Sequence, residues 1–375
     1  MKSWAIFVAM LVACTSTSPS AVPGVTRQVD AEAVADQPAG RALPGRSGIV
    51  TAATLRVRIP LASWPEALAW APDGARLVVS DSGGAAQIRD ARTGAVVHEL
   101  GGFTGRITAI AASEARVAVA DAKLVRVWAA ATGALERELK GHEDLLLDLG
   151  FVGDALLAVD LRDALRRWDV RGGKATTIAV PTLHAISLAI APDGGALAIG
   201  GYGNVELIDV PGGSRRFKLE MPRCSAGAKD LLCAEWREVE MTEFPIDGEG
   251  GGSYKTTGPD WLVTDLAFSA DGTRLALGRT DGIAVVVDVA RGEPIARFAA
   301  GEGKHAAVAL TADGATLALG DRDGWIALWD VAARRELRVT HEPGHIVGSL
   351  AFSPDDTALA AGGPGQVVTI WDLER

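Results

Sequence analysis

Residues His341-Glu342-Pro343-Gly344-His345 fit the pattern H-E-x-x-H. On a helix that spacing sets two imidazoles on one face to hold zinc, with the glutamate as general base. Pro343 and Gly344 stand between the histidines, however, and together they favour a turn and oppose a helix. Without a helix the two rings have no fixed common face, and no third ligand lies nearby in sequence. The six histidines are scattered along the chain. No G-x-S-x-G elbow, G-x-x-x-x-G-K-[ST] loop or C-x-x-C pair occurs. Asp and Glu are abundant at turns, where they accept turn hydrogen bonds. The residues therefore predict no catalytic set, no metal site and no cofactor.

The elements that carry these residues follow from repetition. Leu68 opens "LAWAPDGARLVVSDSGGAAQIRDARTGAVVHEL", and related stretches begin at Leu188, Leu266, Val308 and Leu350. Weaker copies begin at Ala109 and Leu149, giving a period of roughly 40 residues. In each copy an apolar strand ends in a turn such as Pro72-Asp73-Gly74. A Leu/Ala/Val strand follows, then a tight turn such as Asp281-Gly282 or Asp323-Gly324. A third strand ends in Trp-Asp or a degenerate form, and another glycine turn leads to a fourth. Period-two alternation and glycine turns specify antiparallel strands. Four strands per copy make one propeller blade.

Trp168-Asp169, Trp329-Asp330 and Trp371-Asp372, with Gly141-His142 ahead of one copy, give the chain a resemblance to WD-repeat β-propellers over about Ile49 to Arg375. The resemblance implies an all-β fold: a seven-bladed β-propeller of four-stranded antiparallel blades. The family's buried His, Ser/Thr, Asp and Trp network is nowhere complete. Blade three offers His142, Asp163 and Trp168, and blade six offers Asp323 and Trp329. Aliphatic packing between blades must supply the rest. The last copy ends at Arg375 just after its third strand, while "TAATLRVRIP" precedes the first copy with no repeat of its own. In the family an N-terminal strand completes the last blade, and Thr54 to Ile59 fits that role, removing the open edge. The H-E-x-x-H residues then fall in the loop from blade six to blade seven.

One linker breaks the pattern. Residues 221–260, between blades four and five, carry Cys224 and Cys233, an acidic stretch with Trp236 and Phe244, and a Gly-rich return. Long connections in compact repeats are usually functional or disordered. Two readings stand: a partner-binding arm on the rim, or an ordered excursion covering one blade. Family architecture sets fourth-to-first-strand links on one rim. Trp64, His184, Trp261 and Lys304 would join that rim as partner-binding candidates, although Trp261 could equally pack under the insert.

The N-terminus has its own logic. Lys2 precedes a short apolar run, Trp4 to Val12, too short to span a bilayer. Leu11-Val12-Ala13-Cys14 resembles the lipobox of bacterial lipoprotein precursors. The resemblance implies a signal peptide at 1–13, a diacylglyceryl group on Cys14, and placement in the cell envelope, at the outer membrane in enteric-type bacteria. Residues 14–48, rich in Ser, Thr, Pro, Ala and Gly, read as a flexible tether to a propeller at 49–375. Export would expose Cys224 and Cys233 to oxidation, so a disulfide between them is expected. The net charge is −10, with no basic stripe, which argues against nucleic-acid partners. The expected function is a non-catalytic, monomeric scaffold that touches the membrane only through its lipid and binds a protein or peptide. The alternative is an enzyme or small-molecule binder using the central channel.

Overall fold

Alternating Ala, Leu and Val strands bury both faces only when sheets stack side by side, and this chain closes the stack into a ring. A computed structural model describes residues 50–160, 165–178, 187–201, 203–210, 213–220, 236–242, 253–259, 261–299, 307–341, 346–363 and 365–375. Residues 46–236 and 259–375 form one compact unit, the propeller. A second unit contains a two-stranded sheet made by Trp236–Thr242 and Ser253–Pro259.

The propeller has seven four-stranded antiparallel blades. Their first strands are Pro65–Trp70, Ile107–Ala112, Leu146–Val152, Ser187–Ile190, Val263–Phe268, Ala307–Leu310 and Ser349–Phe352. Each contacts the first strand of the next blade, and that of blade seven contacts that of blade one, so these strands surround a central channel. The ring closes as the sequence predicts. Ala52–Pro60 is the outer strand of blade seven, antiparallel to Val367–Glu374, from Ala52 opposite Glu374 to Pro60 opposite Val367. A bulge at Arg56 breaks the register, and Arg56 Nε donates to Asp372 at 2.8 Å.

Seven apolar clusters, one between each pair of neighbouring blades, form the core. The ring-closing strand contributes to two of them, through Ala53 beside blade six and Ile59 beside blade one. Each fully buried aliphatic side chain adds roughly 1.5–3 kcal/mol, so closure rests on distributed packing.

The Trp-Asp carboxylates hold turns. Asp330 Oδ1 accepts the N–H groups of Ala332 and Ala333 at 3.0 and 2.9 Å. Asp90 does the same for Arg92 and Thr93 at 3.1 and 2.7 Å. In the turn between first and second strands, Gly74, Gly194, Gly272 and Gly314 have φ between 64° and 69°, where a side chain is disfavoured. Blade seven has Asp356 there instead, at φ 55°. Asp356 is compensated: its oxygens accept the Ala312 N–H of blade six at 3.0 Å and pair with Arg375 at 2.5 Å.

Candidate functional site

Two regions of the propeller have the makings of a site: the rim bearing the links between blades, and the channel. On the rim, Trp64 precedes the first strand of blade one and is 50% exposed. Its N–H donates to Ser82 Oγ at 3.2 Å and its C=O accepts the Ser82 N–H at 2.8 Å, so the loop holding the indole is fixed. Trp325 opens the third strand of blade six and is 37% exposed. Trp261 presents no such surface. It is 1% exposed and packs in the core between blades four and five, with the Arg279 guanidinium 3.8 Å from its ring centroid. A cation desolvated against an indole face is favourable, and here it buries both side chains.

The other predicted residues fall differently. His341 ends the outer strand of blade six, opposite Trp325, and Glu342 to His345 lie outside the described residues. Among the described residues no group of three or more His, Cys, Asp or Glu side chains is placed to hold a metal. Trp236 starts a strand of the two-stranded sheet. Cys14, His184, Cys224, Cys233, Phe244 and Lys304 lie outside the described residues.

Beneath the rim is a set of polar residues that the sequence reading missed. The second strands of blades one, two and three end in Asp81, Asp121 and Asp160, and Asp321 follows that of blade six by one residue, all four buried. Each has its own set of donors. Asp81 accepts the Gly83 and Ala85 N–H groups at 2.9 and 3.0 Å. Asp121 accepts the Thr104 N–H at 2.8 Å and pairs with buried Arg126 at 3.0 Å. Asp321 accepts the Asp323 and Trp325 N–H groups, both at 2.9 Å. Asp160 accepts from His142 Nδ1 at 2.9 Å, with both side chains almost fully buried and the Trp168 ring 6.3 Å from the imidazole. The carboxylate that pairs with His142 is thus Asp160; Asp163 lies outside the described residues. The signal was present in "VVSD", "AVAD", "LAVD" and "ALGD", an Asp closing each small-residue strand. Blade five has Arg279 at that place, which explains why Trp261 turns inward.

In the channel the seven first strands carry three charged residues, Glu66, Asp148 and Asp265. Glu66 is paired with Arg106. Asp148 and Asp265 occupy the same position on blades three and five, just after a bulge and opposite Val159 and Gly278 of their second strands. Asp148 Oδ1 accepts the Leu149 N–H at 2.8 Å. Asp265 accepts its neighbour Leu266 N–H at 2.9 Å and, across the blade boundary, the Val308 N–H at 2.8 Å. Thr311 bonds back to Thr316, so alternation along the ladder turns the Val308 N–H to the inner edge of blade six. The Asp265 carboxylate therefore lies on the channel wall. Burial pushes both carboxyls up to about 7; backbone N–H groups pull each down, and the Asp265 charge raises Asp148 further. Among the described residues of the first strands, Asp148, Asp265 and the Arg106-paired Glu66 are the charged groups.

Below Asp265 the first strands of blades five, six and seven end around a cavity of about 340 Å³. Its lining is mostly apolar, with Phe268, Leu310, Phe352 and Pro354 the bulkiest members, and includes Ser353 and Asp356.

Residues 335–372, the outer strand of blade six and most of blade seven, match the family model for the WD domain, G-beta repeat. No curated protein matches the chain. The match is to one repeat unit, and the ring that contains it is a seven-bladed β-propeller.

Proposed function

We propose that the protein is a non-catalytic interaction scaffold: a lipid-anchored envelope propeller presenting its rim and the 221–260 insert to a protein or peptide partner. WD-repeat propellers commonly serve as protein-interaction scaffolds. The observation that carries the reading here is Trp64, half exposed on a loop that Ser82 fixes from both sides. A rigid, exposed aromatic supplies contact area with little entropy to lose on binding. The lipobox resemblance of Leu11-Val12-Ala13-Cys14 supports attachment to the membrane. Two or more acyl chains hold a protein there firmly, whereas one does so only marginally.

The test is crosslinking and capture from envelope fractions with wild type, Trp64→Ala and Cys224→Ser. A partner retained by wild type and lost from Trp64→Ala supports the reading. Identical capture by all three overturns the rim assignment. Mass spectrometry of the N-terminus checks the anchor, since unmodified Cys14 would refute it. Non-reducing peptide mapping checks the expected Cys224–Cys233 link, which two free thiols would refute.

A further inference from the structure

The turns between first and second strands lie at the other end of those strands from the link that carries Trp64. In blades four to seven they are Pro192-Asp193-Gly194, Ala270-Asp271-Gly272, Ala312-Asp313-Gly314 and Pro354-Asp355-Asp356. The first residue of each turn lines the cavity of about 340 Å³. The next residue of each is an exposed aspartate. Four carboxylates thus stand one residue outside an apolar hollow, on four successive blades. The hollow is open to solvent: Pro192, Ala270 and Pro354 are exposed and Phe268 and Phe352 half-buried.

Its edge is held in shape. The Asp271 N–H donates to the Ala312 C=O of the next blade at 3.0 Å, and the Ala312 N–H donates to the Asp356 carboxylate at 3.0 Å. Within the turns, Oδ1 of Asp193, Asp271, Asp313 and Asp355 accepts the N–H two residues on, at 2.8, 2.9, 2.9 and 3.2 Å. The hydroxyls of Ser269, Thr311 and Ser353 also donate to Oδ1. Each aspartate is therefore fixed through one oxygen and keeps acceptor capacity on the other. Two guanidiniums belong to the same edge: Arg375 pairs with Asp356, and Arg274 donates to the Gly314 C=O. With Asp356 counted, five carboxylates face two guanidiniums, so negative charge is in excess. Among the described residues no three carboxylates are close enough to share a metal ion.

We propose that this face binds a basic polypeptide segment, in which an apolar side chain fills the hollow and Lys or Arg residues on either side meet Asp193, Asp271, Asp313 and Asp355. Charge complementarity selects that occupant. A neutral apolar compound leaves the carboxylates unused, and a small monocation reaches only one of them. A chain with cations on both sides of an apolar anchor meets several at once. Nucleic acid and anionic membrane surfaces carry the same sign as these turns and are repelled. A cavity of about 340 Å³ is at the small end of ligand pockets, a size that suits an anchoring side chain. The fixed edge has little freedom to lose on binding. The site shares no residue with the rim scaffold, so either reading can fail alone.

Three capped hexapeptides serve as probes: Lys-Arg-Leu-Phe-Arg-Lys, the same with Gln for every cation, and the same with Gly for Leu and Phe. Binding to the full chain is followed by titration calorimetry at low ionic strength, where charge contacts are least screened. The first peptide should bind about tenfold or more tightly than either of the others. Asp271→Asn combined with Asp313→Asn should weaken it about fivefold or more. Ala270→Lys, which sets a cation on an exposed lining residue, should weaken it as well. Glu114→Gln removes one exposed charge from the corresponding turn of blade two, away from the cavity, and should leave binding unchanged, as should Trp64→Ala. Equal binding of the glycine peptide would reduce the effect to the net charge of −10 and overturn the proposal. Equal binding of the glutamine peptide, or loss of binding in Trp64→Ala, would overturn it too. The comparison of peptides on wild type stands even where a variant does not fold.

Discussion

Replacing Asp148 by Asn should stabilise the propeller above neutral pH. Burial holds the Asp148 carboxyl at about 7, against an ordinary 3.8. A carboxyl with a raised folded pKa holds its proton more tightly in the folded chain than in the unfolded one. Its contribution is intact below pH 3.8, is lost as pH climbs to about 7, and then stays lost. Roughly three pK units at ~1.4 kcal/mol each set a ceiling of about 4 kcal/mol. Partial exposure to the channel reduces this to about 2 kcal/mol. The asparagine is a clean replacement, since its Oδ1 keeps the 2.8 Å bond from Leu149 and its amide faces the channel. At position 265 an Asn would instead set its amide against one of two N–H donors. Urea melts followed by tryptophan fluorescence at pH 5, 6, 7 and 8 measure the effect. The variant should gain about 2 kcal/mol over wild type at pH 8 and under about 1 kcal/mol at pH 5. A difference that is constant with pH, or a variant weaker than wild type at pH 8, would refute the reasoning.

Three further outcomes are expected. A chain starting at Ile49 should fold and stay monomeric, whereas one starting at Leu61 lacks the strand opposite Val367–Glu374 and should aggregate through that open edge, as light scattering will report. Trp261→Ala should lower stability by about 3–5 kcal/mol in chemical denaturation, since it empties a core position and uncovers the Arg279 guanidinium. His142→Ala removes a buried donor from Asp160 and should cost about 1.5–3 kcal/mol, whereas the outward-facing Glu136→Ala should change little.

The blades were legible because their instructions are local. A Pro-Asp-Gly or Asp-Gly turn fixes a hairpin from neighbouring residues, and seven such sets fix the ring. The closing strand was legible by subtraction: blade seven lacked an outer strand, and Ala52–Pro60 had no other place. The candidate site was less legible because its burial and charge depend on residues far along the chain. Trp261 reads as a rim residue until Arg279, eighteen positions later, covers its ring. Asp148 and Asp265 look like solvated strand residues in "LLDLGF" and "VTDLAF". Only ring closure sets them on one channel, more than a hundred residues apart in sequence. The Asp160 partner of His142 was obscured by Asp163, three positions later in sequence.

The clasp between Ala52–Pro60 and Val367–Glu374 also governs the order of events in time. During synthesis the strand that finishes blade seven emerges before the other six blades exist, and its partner emerges after all of them. Every intermediate length of nascent chain therefore carries an unmatched edge, and the ring cannot lock until residue 374 is available. A ribosome stalled anywhere upstream holds an open, pairing-competent chain.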